Sequence, residues 1–221
     1  MIIAKDFSKD LALQLLEINA VILRPHTPFK WTSGWSSPIY CDNRRTLRYP
    51  ELRRRIAAEF SAFIDSRYPD VDVIAGTSTA GIPHASWIAD RLEKPMAYVR
   101  SKPKQHGTTS QIEGGVQKGE RAIIIEDLIS TGESAKAVAN ALDFVGVEVV
   151  GLVSIFNYGF ELYRRKFEEA GIPVHSLTDY ETLLEAGIKF GYVAQDDVAL
   201  LSRWRQQPDT WPKGVAHSAH K

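Results

Sequence analysis

The sequence is short of cysteine, of net charge and of long apolar runs, and each shortage closes off a class of protein. The single cysteine, Cys41, in 221 residues cannot form an internal disulfide, so nothing requires an oxidising compartment, and no Cys/His set has zinc-ligand spacing. Lys and Arg together number 27, against 27 Asp and Glu. That balance leaves no global field to draw the chain onto nucleic acid or an anionic membrane, so any polyanion must meet a local basic cluster. No segment approaches the ~20 consecutive apolar residues of a membrane helix. Lys5 and Asp6 stand where a signal peptide would need an apolar core. A soluble protein of the reducing cytoplasm is the expectation, with neither nucleic acid nor membrane as partner. Repeats and low-complexity segments are missing as well, and the 44% hydrophobic and 24% charged fractions are those of an ordinary globular protein. One domain with elaborations is expected at this length.

What is present alternates in period. Leu52, Ile56, Phe60, Phe63 and Ile64 recur at spacings of three and four, predicting an amphipathic helix with Pro50 in its first turn. A short apolar run, Val71 to Ala75, then stops at Gly76 as a buried strand does. A helix follows from Ala80 to Leu92, a strand from Met96 to Val99, and then a polar segment of about twenty residues, Ser101 to Glu120, long enough to be a functional loop. Ala122 to Ile125 is the clearest buried strand, and Ala135, Val138, Ala139, Leu142 and Val145 stripe the helix after it. Val147 to Phe156 reads as a strand, Phe160 to Ala170 as a helix and Ile172 to His175 as a strand. Strands alternating with helices predict an α/β fold with a central, mainly parallel sheet flanked by helices. A first helix with Ser8 as candidate cap, a turn-rich stretch from Pro25 to Asn43, and two helices between Asp179 and Gln207 are expected to cover one sheet edge.

The most informative window runs Glu126-Asp127-Leu128-Ile129-Ser130-Thr131-Gly132-Glu133-Ser134 directly after four apolar residues. Ligands of open α/β sheets bind at the strands' carboxyl ends. There, free N–H groups of a helix start, with the hydroxyls of Ser130, Thr131 and Ser134, can hold a phosphate. Glu126 and Asp127, one step away, can accept hydrogen bonds from sugar hydroxyls or approach a metal; the alternative is an exposed strand end with an ordinary helix cap. A second cluster, Arg100, Lys102, Lys104 and His106, precedes the polar loop. It is a solvated face or a polyanion clamp, with Arg100 offering a fork and Lys104 a mobile point charge. The third piece is the turn from Gly76 to Gly81, whose glycines would let a diphosphate approach the backbone. Together the three strand ends imply a sugar phosphate carrying a second, heavily charged phosphate group. Trp31, Trp35 and Trp87 read as packing, and Arg53, Arg54 and Arg55 as an exposed helix face.

A hydrophobic strand, two acids and a Thr/Ser-Gly loop resemble the type I phosphoribosyltransferases, which bind phosphoribosyl pyrophosphate. Residues 31–44, from Trp31-Thr32-Ser33-Gly34 to Cys41-Asp42-Asn43-Arg44, resemble the amino-terminal hood of the orotate phosphoribosyltransferases, and residues 98–107 resemble that family's catalytic loop. The recognisable segments run from about Pro28 to Phe156.

The resemblance implies a type I phosphoribosyltransferase fold in one domain: a hood over about 1–48, an α/β core over about 49–178, and C-terminal helices and tail over about 179–221 that are candidates to join the hood. It implies a Mg²⁺-dependent transfer of phosphoribose to orotate in pyrimidine biosynthesis, with the metal held mainly by substrate. Arg100, Lys104 and His106 would contact the pyrophosphate, while Glu126, Asp127, Leu128, Ile129, Ser130, Thr131, Gly132, Glu133 and Ser134 would hold the ribose and its 5-phosphate. Lys104, His106 and Asp127 are the implied catalytic residues, and Ser130, Tyr40 and Cys41 the implied orotate contacts. A homodimer sharing the loop over 102–115 is implied too. The chain departs from some members: Ser101 follows Arg100 where they have a second basic residue, and Thr32, Ala80 and Asn157 stand where they carry Lys, Lys and Arg. Two other readings stay open, a phosphoribosyltransferase for another base and a non-catalytic regulator that binds phosphoribosyl pyrophosphate together with RNA or DNA.

Overall fold

The apolar runs in the middle of the chain become one six-stranded sheet in the computed structural model, which describes residues 1–31, 34–100 and 111–211. In chain order the elements that build it are helix α1 (Lys5–Glu17), helix α2 (Pro50–Arg67), strand β5 (Val73–Thr77), helix α3 (Gly81–Leu92), β6 (Met96–Val99), β7 (Ile112–Glu113), β8 (Arg121–Ile129), α4 (Glu133–Phe144), β9 (Glu148–Asn157), α5 (Glu161–Glu169), β10 (Val174–Asp179), α6 (Tyr180–Lys189) and α7 (Val198–Gln206). Four short strands precede α2: β1 (Val21–Leu23), β2 (Phe29–Lys30), β3 (Ser36–Ser37) and β4 (Ile39–Cys41). The sheet order is β10-β9-β8-β5-β6-β7, parallel except for β7, which runs antiparallel beside β6 at the edge. The polar segment from Ser101 to Glu120 is thus not loop throughout; within it Ile112–Glu113 pairs with Val99 and Tyr98.

From β5 the chain winds outward to β6, and from β8 it winds the other way to β9 and β10. The carboxyl ends of β5 and β8 are therefore the point where the winding reverses, which opens a crevice between two diverging connections. Ile74, Ala75, Ile123, Ile124, Ile125, Leu152 and Val153 are fully buried in these central strands, as expected for strands covered on both faces. Helix α3 packs on β5 and β8, α4 on β8 and β9, and α1 on β10 and α6.

Strand β8 runs four residues past the apolar run that announced it. Glu126 pairs with Ser154 and Leu128 with Phe156 of β9, so the sheet carries the acidic pair to the edge of the crevice. Ser8 does not cap α1; it lies one turn inside, buried, and its hydroxyl donates to Thr178 Oγ1 at 3.1 Å, tying α1 to β10. Arg53 and Arg55 are more than surface charges. Arg53 caps the carbonyl of Leu47 and lies over the Trp87 ring, while Arg55 pairs with Asp10 and lies over Phe7.

The amino-terminal strands form two small antiparallel ribbons, β1 with β4 and β2 with β3. They are anchored by the far end of the chain: Trp204 of α7, with no exposed surface, donates its indole N–H to the Ser36 carbonyl at 3.2 Å. Its ring meets Trp31, Tyr158, Phe160 and Tyr180 at centroid separations of 5.4–5.8 Å.

Candidate active site

Two adjoining cavities open over the crevice. The first, about 290 Å³, is lined by residues 77–80 of the β5–α3 turn and by residues 126–135 at the end of β8 and start of α4. Every residue of the predicted phosphate and ribose motif lies on it. Gly132, at φ +77°, turns the chain into α4, and no side chain caps the helix, so its first-turn N–H groups face a site lined by the Ser130, Thr131 and Ser134 hydroxyls. Glu133 would oppose an anion there, but Lys166 of α5 takes up its carboxylate and also donates to the Thr131 carbonyl at 3.1 Å. The loop is thereby pinned from outside, and one negative charge is neutralised.

Glu126 is 5% exposed, and its carboxylate accepts the Asp127 N–H at 3.1 Å. Burial, and then the neighbouring Asp127 charge, push the Glu126 carboxyl well above the usual carboxylate range. Burial also raises Asp127, opposed first by its hydrogen bond with Glu126 and to a lesser extent by the nearby Arg44 guanidinium. The Asp127 backbone is held in place by Asn43, whose amide donates to the Asp127 carbonyl at 2.7 Å. Asn43 and Arg44 were visible only as part of the hood stretch; their bearing on Asp127 depends on a contact 84 residues apart in sequence.

The second cavity, about 390 Å³, is lined by Lys30, Trp31, Trp35, Tyr40, Cys41, Leu128, Ser130, Thr131 and Tyr158. It receives Tyr40, Cys41 and Ser130, the three residues predicted to meet a base. It also receives Trp31 and Trp35, read from sequence as packing, and Lys30 and Tyr158, which local sequence gave no reason to select. Trp31 does both jobs. Its indole N–H donates to the Ile39 carbonyl at 3.2 Å, and its ring stacks toward Trp35 at 6.4 Å and 19° while its edge meets Trp204. The Cys41 thiol is pushed up by burial and then by Asp127 and Asp42, which keeps it protonated and unreactive.

Other predicted residues fall elsewhere. Arg100 directly follows β6 and lines neither cavity; its guanidinium lies 3.6 Å from Glu113 of the edge strand. Lys102, Lys104 and His106 lie outside the described residues. Asn157 is buried with its amide oxygen accepting from the Tyr163 hydroxyl at 3.2 Å, and it lines neither cavity. The glycines that flank the β5–α3 turn have a packing role: a Cβ on Gly76 would meet Ala85 Cβ at 2.9 Å, and one on Gly81 the Ile125 carbonyl oxygen at 2.4 Å. Their neighbours Thr77 to Ala80 are what lines the cavity.

A phosphate cradle and a carboxylate pair at the reversal point of a parallel sheet, abutting an aromatic cavity of nucleobase size, are the features of an α/β enzyme that joins a sugar phosphate to a flat base. Residues 49–171 match the family model of the phosphoribosyl transferase domain. The orotate phosphoribosyltransferase of Bacillus caldolyticus is 50% identical over 91% of this chain and 98% of its own length. Among solved structures, the orotate phosphoribosyltransferase of Aeropyrum pernix superposes with a TM-score of 0.71 at 30% identity, covering 83% of this chain and 99% of that one. The UMP synthase of Leishmania donovani superposes with a TM-score of 0.75 at 30% identity over 90% of this chain, which spans only 42% of that longer protein. The chain belongs to the phosphoribosyltransferase family and, within it, to the orotate phosphoribosyltransferases, which are pentosyl-transferring enzymes.

Proposed function

We propose that the chain transfers the phosphoribosyl group of phosphoribosyl pyrophosphate to orotate, giving orotidine 5-phosphate and pyrophosphate for pyrimidine nucleotide synthesis in the cytoplasm. One observation carries the reading: Leu128, Ser130 and Thr131 line both cavities, so a 5-phosphate at the start of α4 and a base among Trp31, Trp35 and Tyr40 are held on one short loop. In the reaction the ring nitrogen of orotate forms a bond to C1 of the ribose as the bond from C1 to the pyrophosphate oxygen breaks. Positive charge develops on the ribose in between.

Glu126 and Asp127 suit that moment. In the free protein their charges are costly, since each carboxyl is buried and Glu126 also faces the Asp127 charge. A cationic ribose relieves that cost in the transition state, and stabilisation of this kind raises turnover rather than ground-state binding. Paired hard oxygen donors are also the chemistry that Mg²⁺ accepts when most of its remaining ligands are substrate oxygens and water. Asp127 and Glu126, both lining the first cavity, would complete a set made mainly of substrate oxygens. Bound there, Mg²⁺ would supply charge neutralisation of the pyrophosphate. Arg100, Lys104 and His106 would neutralise the departing group from the loop side, in a homodimer whose loop over 102–115 serves the neighbouring subunit. No helix among the described residues is long and apolar enough to cross a membrane.

The test is loss of orotate absorbance on mixing protein, phosphoribosyl pyrophosphate and Mg²⁺, with uracil and hypoxanthine as parallel substrates. Consumption of orotate that needs all components supports the reading; ribosylation of a control base instead refutes the assignment of orotate.

A further inference from the structure

Orotate differs from uracil by one carboxylate, and a site that selects it must supply a compensating cation. The aromatic cavity offers one. Among the described residues lining it, Lys30 alone is cationic and none is acidic. At the neighbouring end of β9, Asn157 is neutral and engaged with Tyr163.

We infer that Lys30 is the specificity-determining residue for the base, its ammonium pairing with the carboxylate of orotate; the inference rests on the reading of the cavity as the orotate site. The backbone below it is well fixed. Lys30 pairs with Ser36 in the β2–β3 ribbon, the next residue is Trp31 with its indole bonded to Ile39, and the Ser36 carbonyl is itself held by Trp204. The side chain, by contrast, is exposed and ends in a mobile point charge on a four-carbon stem. A fixed base with a movable head lets the ammonium stay hydrated in the free protein and close on an entering carboxylate against the Trp31 and Trp35 rings. Lys30 is therefore a binding group at the cavity rim. It selects the base and takes no proton.

The rim position sets the scale of the effect. A fully exposed ion pair contributes little, but one closed against aromatic walls and desolvated on one side contributes more. Lys30→Met keeps the apolar stem and removes the charge. It is expected to raise KM for orotate about tenfold, equivalent to ~1.4 kcal/mol, with kcat and the KM for phosphoribosyl pyrophosphate each within about twofold. Lys30→Arg restores most of the loss, and the orotate KM of the wild type rises with salt while that of Lys30→Met does not. Discrimination between orotate and uracil narrows by the same factor in Lys30→Met. An orotate KM changed less than twofold overturns the inference, and so does an equal rise in both KM values, which marks a disturbed hood instead. A wild-type protein that does not consume orotate refutes the orotate reading itself, whereas an active wild type with an indifferent Lys30→Met variant refutes only the role of Lys30.

Discussion

Replacing Gly81 with alanine tests whether that glycine is there for packing. It begins α3 with an ordinary helical environment, so helix propensity alone predicts that Gly81→Ala stabilises the protein by ~0.4–1 kcal/mol. The structure predicts the opposite. The new Cβ would stand 2.4 Å from the Ile125 carbonyl oxygen and 3.5 Å from Thr77 Cβ. Close carbon–oxygen contacts lie near 3.3 Å, so the first turn of α3 must retreat from β8 by about 0.9 Å. Strand β8 cannot yield, being paired with β5 on one side and β9 on the other. Overpacking of this kind costs ~1–3 kcal/mol, and after the propensity gain the net loss centres near ~1.3 kcal/mol, a fall in Tm of about 3–5 °C for a chain of this length. The retreat also shifts Thr77 to Ala80, which line the cavity proposed to hold the phosphates, so KM for phosphoribosyl pyrophosphate is expected to rise. Gly171→Ala is the control: that residue has φ +66° and no atom within 4 Å, so it loses ~1–2 kcal/mol to backbone strain with substrate KM unchanged. Urea unfolding and steady-state kinetics on both variants decide. A Gly81→Ala protein as stable as the wild type, or more so, refutes the reasoning.

Three further outcomes are expected. The folded Glu126 carboxyl holds its proton more tightly than an unfolded one, so its contribution to stability is present below the ordinary glutamate range and lost as pH rises through its raised folded value. Glu126→Gln should therefore be more stable than the wild type at pH 8 and lose that advantage by pH 4; urea midpoints that move in parallel across this range contradict it. Asp127→Asn should lower kcat by roughly 100-fold, on the scale of losing one electrostatic stabiliser of a transition state, with the circular dichroism and Tm of the folded protein retained. Unchanged turnover rejects its place beside the ribose. Trp204→Ala removes a fully buried indole and should cost ~3–5 kcal/mol, with KM for orotate rising more than KM for phosphoribosyl pyrophosphate; equal changes in the two would mean that α7 does not support the base cavity in particular.

The sheet was readable because its strands are continuous apolar runs and its helices carry one apolar stripe. The phosphate cradle was readable because its residues are consecutive, 126 to 134, and local spacing is enough to place them together. What escaped was built from distance. Glutamate and aspartate are poor strand formers, so β8 was expected to end before them; pairing with Ser154 and Phe156 of β9 carries it on. Ser8 has the chemistry of a cap and became instead a buried partner for Thr178, because α1 packs on β10. The aromatic cavity needs Tyr158, Trp31 and Trp204 to meet across more than a hundred residues, and no periodicity reports that. Likewise, nothing local shows that Gly76 and Gly81 also admit a neighbouring side chain and carbonyl, since those contacts come from Ala85 and Ile125.

The bond from Trp204 to Ser36 closes the chain on itself, and synthesis meets its two ends at different times. The loop over 126–134, the strand β9 that carries β8 to it and the Lys166 that pins it have all been made once α5 is complete, and the central strands β5, β6 and β8 precede them. The aromatic cavity must wait: its ribbons are made first, yet the indole that holds them against Tyr158 arrives with α7, the last helix described. In order of synthesis the loop proposed to hold the sugar phosphate thus comes before the helix that completes the proposed place for the base.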